Sequence, residues 1–387
     1  MERMGSAGSE TVAMSLKSLV LCADERIVRV LRRVLSELEI DMHHCAGAEF
    51  AIRKLTRSRF EAVIVDYADP EVGSQVLRSA RSAPGNKHAV AIAILDPQQP
   101  VRAAFDQGAH FVLYKPISME RAKSSFRAAR ALMKRERRRN ARVPVQIPVV
   151  ITSERDHGPI HTNTIDLGEG GIAVKLNHRI GSVRGVKVAF TLPGTDYRVE
   201  CAAEIAWESA MRQTGIRFNN LSPDASHQIK TWLARHTPEL EPDDPPAKCR
   251  LTDLSIGGCY LELSAPFPVR TVVTLSMQAG SSDFRAQGVV RVMHPEIGMG
   301  IEFTRKTLQQ REKVEAFIQE LASDRGVLPD LCVEPEGLLY EEEKASEVAA
   351  DGEDLLLNLF RKLDLTTEEF RAELVKQRGS HESALPA

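Results

Sequence analysis

The chain has 387 residues, of which 43% are hydrophobic and 27% charged, and its net charge is −2. That length allows two or three domains with separate cores, and the near-neutral balance excludes a global field that would recruit nucleic acid or an anionic membrane. No apolar run has membrane-spanning length, Met1 to Ser15 lacks the basic-then-apolar form of a signal peptide, and the six cysteines, with no Cys-x-x-Cys pair, read as free thiols of a reducing cytoplasm.

In chain order, Met1 to Ser15 is small and polar and reads as disordered. Leu19-Val20-Leu21-Cys22 reads as a buried strand ending at Asp24-Glu25, and Ile27, Val30, Leu31, Val34, Leu35 and Leu38 then follow helical spacing. Ala62-Val63-Ile64-Val65-Asp66, Ala89 to Leu95 and His110-Phe111-Val112-Leu113-Tyr114 read as further buried strands, the last followed by Lys115-Pro116. Apolar strands alternating with helical stretches predict a parallel α/β sheet with its site at the C-terminal strand ends.

An acid, an acid and Lys-Pro at three strand ends resemble a receiver (flavodoxin-like) domain over residues 16–134. The resemblance implies that Asp66 is a phosphoacceptor, that Lys115 partners the phosphoryl group, and that Asp24 helps to hold magnesium. The pattern departs at two points. Ala23 stands where the first acid of the usual pair is expected, with Glu25 as the available substitute, and Ala89 to Leu95 offers no Ser or Thr as a switch hydroxyl. Magnesium needs several hard oxygen ligands, so Asp24 and Asp66 alone make a weak site. A degenerate receiver used for docking or dimerisation, a receiver that still accepts phosphate on Asp66, and an unrelated α/β domain all stay open.

Met119 to Arg142 continues the last helix of this domain into the basic run Lys134-Arg135-Glu136-Arg137-Arg138-Arg139. Pro144 biases Val143 away from helical angles, so the helix is expected to stop shortly before Arg142 and to leave the last arginines on a flexible arm. Short strands follow: Val145 to Thr152, His161 to Ile165, Gly171 to Leu176, Val186 to Leu192, Arg198 to Trp207 and Gly215 to Phe218, with a helix over Pro223 to His236. Six short strands at hairpin spacing predict a small β-barrel. The unit recurs: Asp166-Leu167-Gly168-Glu169-Gly170-Gly171 is echoed by Asp253-Leu254-Ser255-Ile256-Gly257-Gly258, and Gly215-Ile216-Arg217-Phe218 by Gly300-Ile301-Glu302-Phe303, before a helix over Thr307 to Leu321. The Pro- and acid-rich segment Thr237 to Pro246 reads as an extended linker. The second copy starts late, at Lys248-Cys249-Arg250, with no room for a first strand and no Arg-x-x-x-Arg.

Arg138-Arg139-Asn140-Ala141-Arg142 and Asp166 to Gly171, in that order and ahead of Trp207 and Gly215, resemble the two halves of the cyclic di-GMP site of PilZ domains. The resemblance covers about Arg138 to His236 and more weakly Lys248 to Ala322. It implies that Arg138 and Arg142, with Arg139 beside them, fold over a ligand resting on the barrel, and that Asp166, Gly168 and Gly171 form the wall. The chemistry suits the residues. A guanidinium forks onto phosphate oxygens and reaches guanine O6 and N7 bidentately. Gly168 stands where the family has Ser, so one hydroxyl contact is lost, about 0.5–1.5 kcal/mol. The second copy keeps the full wall, Asp253, Ser255 and Gly258, without the arm, and reads as a degenerate site. Each half alone has a plainer explanation: a solvated helix end for the arginines, and a strand turn for the Asp and Gly residues.

Other signals carry less. His43-His44-Cys45 is read as strand surface rather than a metal site. The basic run lacks aromatics and a reading helix, so nucleic acid is not expected as a partner. No nucleophile elbow, P-loop or metalloprotease motif is present, and the chain is not expected to be an enzyme. In the tail, Leu355, Leu356, Leu359, Phe360 and Leu363 share a helical face, and Thr366-Thr367-Glu368-Glu369 is a capping-box start; Glu341-Glu342-Glu343 could compete with nucleotide for the arginine arm.

The whole reads as a multidomain chain. A disordered N-terminus (1–15) leads to an α/β receiver-like domain (16–134) and a PilZ-like barrel with its arginine arm (135–236). A linker (237–247), a truncated PilZ-like barrel (248–325) and an acidic, helical tail (326–387) follow. The expected role is a cytoplasmic signalling protein that binds cyclic di-GMP, needs no cofactor, inserts in no membrane, and relays to an unidentified protein partner or a second copy of itself. The alternatives are a phosphorylation-driven response regulator and a scaffold whose barrels bind only protein.

Overall fold

The computed structural model describes residues 15–83, 85–153, 158–176, 184–209, 212–219, 221–237, 243–280, 282–304, 308–323, 329–339, 355–360, 362 and 365–382. They fall into two compact units, one formed by 137–242 and the other by 15–136 together with 243–387.

The second of these units begins with β1 (Leu16–Leu21), α1 (Glu25–Glu37), β2 (Ile40–Cys45), α2 (Ala48–Arg57), β3 (Ala62–Asp66), α3 (Pro70–Ser82), β4 (Val90–Leu95), α4 (Val101–Asp106), β5 (Phe111–Tyr114) and α5 (Met119–Arg139). The strands form a parallel sheet in the order β2-β1-β3-β4-β5. Alternate residues feed two cores. Val20, Ile64 and Ile92 cluster with Leu31 and Leu35 of α1 and Phe126 and Leu132 of α5, while Leu19, Val63 and Ala91 cluster with Leu55 of α2 and Val76 and Leu77 of α3. Helices on both faces explain why these strands read as unbroken apolar runs.

The first barrel contains β6 (Arg142–Pro144), β7 (Pro148–Ser153), β8 (Ile160–Gly168), β9 (Gly171–Lys175), β10 (Arg184–Thr191), β11 (Arg198–Glu208), β12 (Gln213–Asn219) and α6 (Pro223–His236). The hydrogen-bonded order is β6-β8-β7-β10-β11-β12-β9, and β8 pairs with β9 as well, which closes a six-stranded barrel. Val149, Ile151, Val174, Val188 and Ile216 fill it, and Ile229, Trp232 and Leu233 of α6 cap the core. The Trp232 indole N–H donates to the Pro193 carbonyl at 2.9 Å, which meets its polar need.

The second sheet is built from β13 (Ala247–Lys248), β14 (Arg250–Leu254), β15 (Gly258–Glu262), β16 (Thr271–Ala279), β17 (Ser282–His294) and β18 (Gly298–Phe303), followed by α7 (Leu308–Ser323), β19 (Asp330–Leu338), α8 (Leu355–Phe360) and α9 (Thr367–Glu382). Its order is β13-β19-β16-β17-β18-β15-β14. The expectation that residues after 325 are only an acidic and helical tail is corrected here. Asp330–Leu338 pairs antiparallel with β16, as β7 does with β10 in the first barrel. The strand for which there was no room ahead of β14 is supplied from beyond α7. The physical reason is that the edge of β16 needs a partner for its backbone N–H and C=O groups.

Within this unit α5 is latched to the second sheet. Asp244 accepts from Arg130 at 2.5 Å and from Lys134 at 2.8 Å. Arg135 donates to the Glu336 carbonyl and carboxylate, both at 3.0 Å, and the Leu338 N–H donates to Glu136 at 2.8 Å. Leu132 and Met133 share one apolar cluster with Val273, Leu275 and Leu338. In the tail, Thr366 and Glu369 exchange a capping box, with Glu369 accepting from the Thr366 N–H at 2.8 Å and Thr366 from the Glu369 N–H at 3.3 Å. The buried face of α8 is Leu356, Leu357, Leu359 and Phe360; Leu355 is exposed, a correction to the expected stripe. Leu363, Glu341-Glu342-Glu343 and Met1 to Met14 lie outside the described residues.

Candidate functional site

The first barrel places the two sequence motifs side by side. α5 runs through Arg139, a turn follows, and Arg142 opens β6. The expected flexible arm is therefore corrected. Arg138 and Arg139 sit in the last helical turn, and Arg142 is held in a ladder with β8, because Arg142, Val143 and Pro144 oppose Gly168, Leu167 and Asp166. Arg142 Nη1 lies 2.5 Å from Asp166 Oδ1, with the arginine side chain 41% and the aspartate 23% exposed.

The glycines explain the close fit. A Cβ on Gly168 would lie 3.1 Å from the Ala141 carbonyl oxygen and 3.2 Å from Arg142 Cγ, so the missing side chain lets the arginine stem cross the wall. A Cβ on Gly171 would lie 2.1 Å from the Ile216 carbonyl oxygen, which only glycine avoids at the β9–β12 contact. Beside them, Glu169 pairs with Lys230 of α6 at 3.4 Å.

Register adds a residue that motif spacing does not point to. Asp166, Ala173, Gly215 and Trp207 are successive cross-strand partners on β8, β9, β12 and β11. Cross-strand partners share a face. The Trp207 indole lies over Gly215, its Nε1 2.2 Å from where a Cβ would stand, and it is 46% exposed. The only hint in the sequence is a large aromatic before a Gly-led strand.

At the receiver-like strand ends, Asp66 is enclosed by its own chain. Lys115 Nζ lies 2.7 Å from Oδ1, the Ala68 N–H donates to Oδ1 at 3.1 Å, and the Cys22 thiol donates to Oδ2 at 3.4 Å. Burial opposes the charge on Lys115, but the Asp66 and Asp96 carboxylates outweigh it and its pKa is raised. Burial first, then the Asp66 charge, push the Cys22 thiol up to about 12 despite a backbone hydrogen bond at Asp24. Asp24 is the N-cap of α1, accepting from the Arg26 N–H at 2.7 Å, and Glu25 begins that helix. Among the described residues no group of three or more His, Cys, Asp or Glu is arranged to hold a metal ion. The donors present do not fit magnesium: one carboxylate caps a helix, another is tied to a lysine, and Ala23 brings none.

Residues 136–235 match the family model described as PilZ domain, and residues 234–320 match it again. The chain carries two PilZ domains in tandem. No curated protein matches the chain. Among solved structures, the chemotaxis response regulator CheY4 of Vibrio cholerae is similar at 18% identity, over 30% of this chain and 99% of that one, with a TM-score of 0.28. The receiver domain of a sensor histidine kinase from Pseudomonas aeruginosa is similar at 20% identity, over 28% and 90%, with a TM-score of 0.26. The inhibitor of motility MotI/DgrA of Bacillus subtilis is similar at 16%, over 26% and 51%, with a TM-score of 0.23. No described helix is long and apolar enough to cross a membrane.

In the second PilZ domain the wall motif serves its own turn. The Ser255 N–H donates to the Gly258 carbonyl at 2.8 Å, and the Ser255 hydroxyl and the Gly258 N–H are 3.2 Å apart. A Cβ on Gly258 would lie 2.3 Å from the Ile301 carbonyl oxygen, the same constraint as at Gly171. Asp253 opposes Tyr260, as Asp166 opposes Ala173.

Proposed function

We propose that the first PilZ domain binds cyclic di-GMP on the face that carries Arg142, Asp166 and Trp207, and that binding is relayed to a protein partner. The Arg142–Asp166 pair carries this reading. A guanidinium has five N–H donors, and one carboxylate oxygen occupies few of them. Arg142 turns its remaining donors to a ligand phosphate or to guanine O6 and N7, while Asp166 accepts from guanine N–H groups. Arg138 and Arg139, one turn away at the end of α5, add positive potential, screened beyond about 8 Å at physiological salt. Gly168 and Gly171 keep the wall low enough for a flat purine to approach.

Calorimetry with cyclic di-GMP on the wild type and Arg142→Ala tests the proposal. Heat from the wild type that is strongly reduced in the variant is expected. Equal heat from both would refute the role of the arginine, and no heat from either would leave a protein-binding scaffold.

The contact of Lys115 with Asp66 favours a second reading, in which Asp66 accepts phosphate. Labelling by acetyl phosphate that disappears in Asp66→Asn would support it. We derive no magnesium-dependent step, because the local donor set does not fit the ion.

A further inference from the structure

The line of cross-strand partners in the first PilZ domain, Asp166, Ala173, Gly215 and Trp207, recurs in the second as Asp253, Tyr260, Gly300 and Val292. The two lines differ in what fills the space above the glycine. Over Gly215 it is the Trp207 indole. Over Gly300 it is a ring from the tail: a Cβ there would lie 2.4 Å from Phe360 Cε1 and 2.6 Å from Val292 Cγ1. Valine in place of tryptophan leaves a slot, and α8 inserts an aromatic side chain into it. One turn earlier on α8, Leu357 covers Gly258, its Cδ2 3.1 Å from the Cβ position. Leu356, Leu357, Phe360, Phe370 and Leu374 form one apolar cluster with Tyr260. The Tyr260 hydroxyl and His294 Nδ1 are 2.9 Å apart, and the His294 and Phe370 rings are 4.6 Å apart.

We infer that this face of the second PilZ domain is a helix-binding surface whose ligand is the chain's own α8–α9 pair. The pair is seated across the line of residues that corresponds to the proposed nucleotide face of the first domain. The recognition chemistry is an amphipathic helix with Leu and Phe three residues apart, read by a glycine-floored slot and a tyrosine wall. The first domain cannot take the same helix, because Trp207 already fills its slot. The second domain accordingly binds peptide, and its nucleotide face is closed in the intact chain. This last consequence rests on the reading of the first domain given above.

Hydrogen exchange on the full chain tests the seat without any nucleotide. In the wild type, amides of α8 and of the first turns of α9 should be protected. Phe360→Asp removes the inserted ring, and Val292→Trp fills the slot as the first domain does. Each should speed exchange in α8 and α9 by about tenfold or more, as expected for loss of one buried aromatic anchor, while β15 and β18 stay protected. Tail amides that exchange as a free peptide in the wild type, or unchanged rates in both variants, would overturn the inference. So would β18 opening together with the tail in both variants, since the helices would then be core rather than ligand. In calorimetry the intact chain should take one nucleotide ligation unit at the first domain, and saturation of a second site would overturn the occlusion. Absence of all nucleotide binding would count against the first-domain reading alone, and the exchange result would still decide the seat.

Discussion

Arg142 and Asp166 stand on neighbouring strands of one ladder, and their side chains meet at 2.5 Å across it. The pair orients both groups in advance, so under the proposed function the arginine should lose less freedom on binding than one on a free arm would.

Removing the guanidinium should cost one good phosphate or purine contact, about 1–3 kcal/mol. Arg142→Ala is therefore expected to raise the Kd for cyclic di-GMP by about 5- to 150-fold in calorimetry. Arg142→Lys should recover only part of this, because a point charge does not fork.

Gly168→Ser adds the hydroxyl that the family pattern has at this position. The expected gain is about 1 kcal/mol, or roughly fivefold tighter binding. Weaker binding in the titration would show that crowding of the new Cβ against the Ala141 carbonyl and the Arg142 stem outweighs the added contact.

The chain has two tryptophans. Trp232 lies on the buried face of α6 and is hydrogen-bonded to Pro193, while Trp207 is half-exposed on the line that includes Asp166. Cyclic di-GMP should change the emission of Trp207 alone. Trp207→Phe should abolish the fluorescence response while Trp232 emission persists; a response that survives the substitution would move the ligand off this face.

Asp244 lies between two cations of α5, and the Lys134 side chain beside it is only 6% exposed. Asp244→Ala should destabilise the unit by about 2 kcal/mol in denaturant unfolding, less than a fully buried pair would lose because the carboxylate is partly solvated. A loss below about 0.5 kcal/mol would mark the latch as an ordinary surface ion pair.

Burial, with a smaller contribution from Arg371, lowers the pKa of His294 to about 4. The Tyr260 hydroxyl is its hydrogen-bond neighbour. A released or unfolded histidine takes its proton near the ordinary value of about 6.5, so more protons bind when the tail seat opens. Stability from this site is present above about 6.5 and is lost as pH falls toward about 4. Thermal unfolding of the tail-bearing unit should show this slope, and His294→Phe should flatten it across that window.

Much of the proposed site is legible in local pattern, because the chemistry proposed for it depends on residue type and spacing. Arg142, Asp166 and Gly171 are recognisable where they stand, since a forked cation, a carboxylate and a forced backbone approach have few substitutes. Trp207 was not readable as a site residue: its place beside Asp166 depends on the register of four strands, and register is set by pairing over long separations. The fate of Asp24 was equally hidden, since a strand-end acid that ligates and one that caps a helix have the same sequence context.

The amino-acid order alone determined the strand and helix periodicities, the repeat and the two halves of the arginine–aspartate motif, because each is a property of neighbours along the chain. Only the tertiary structure decided that Asp330–Leu338 completes the second sheet, that α5 is latched to that strand, and that Phe360 fills the slot left by Val292. Those outcomes depend on which unsatisfied edges and apolar hollows lie within reach once the chain has folded. That is a matter of three-dimensional distance and not of sequence separation.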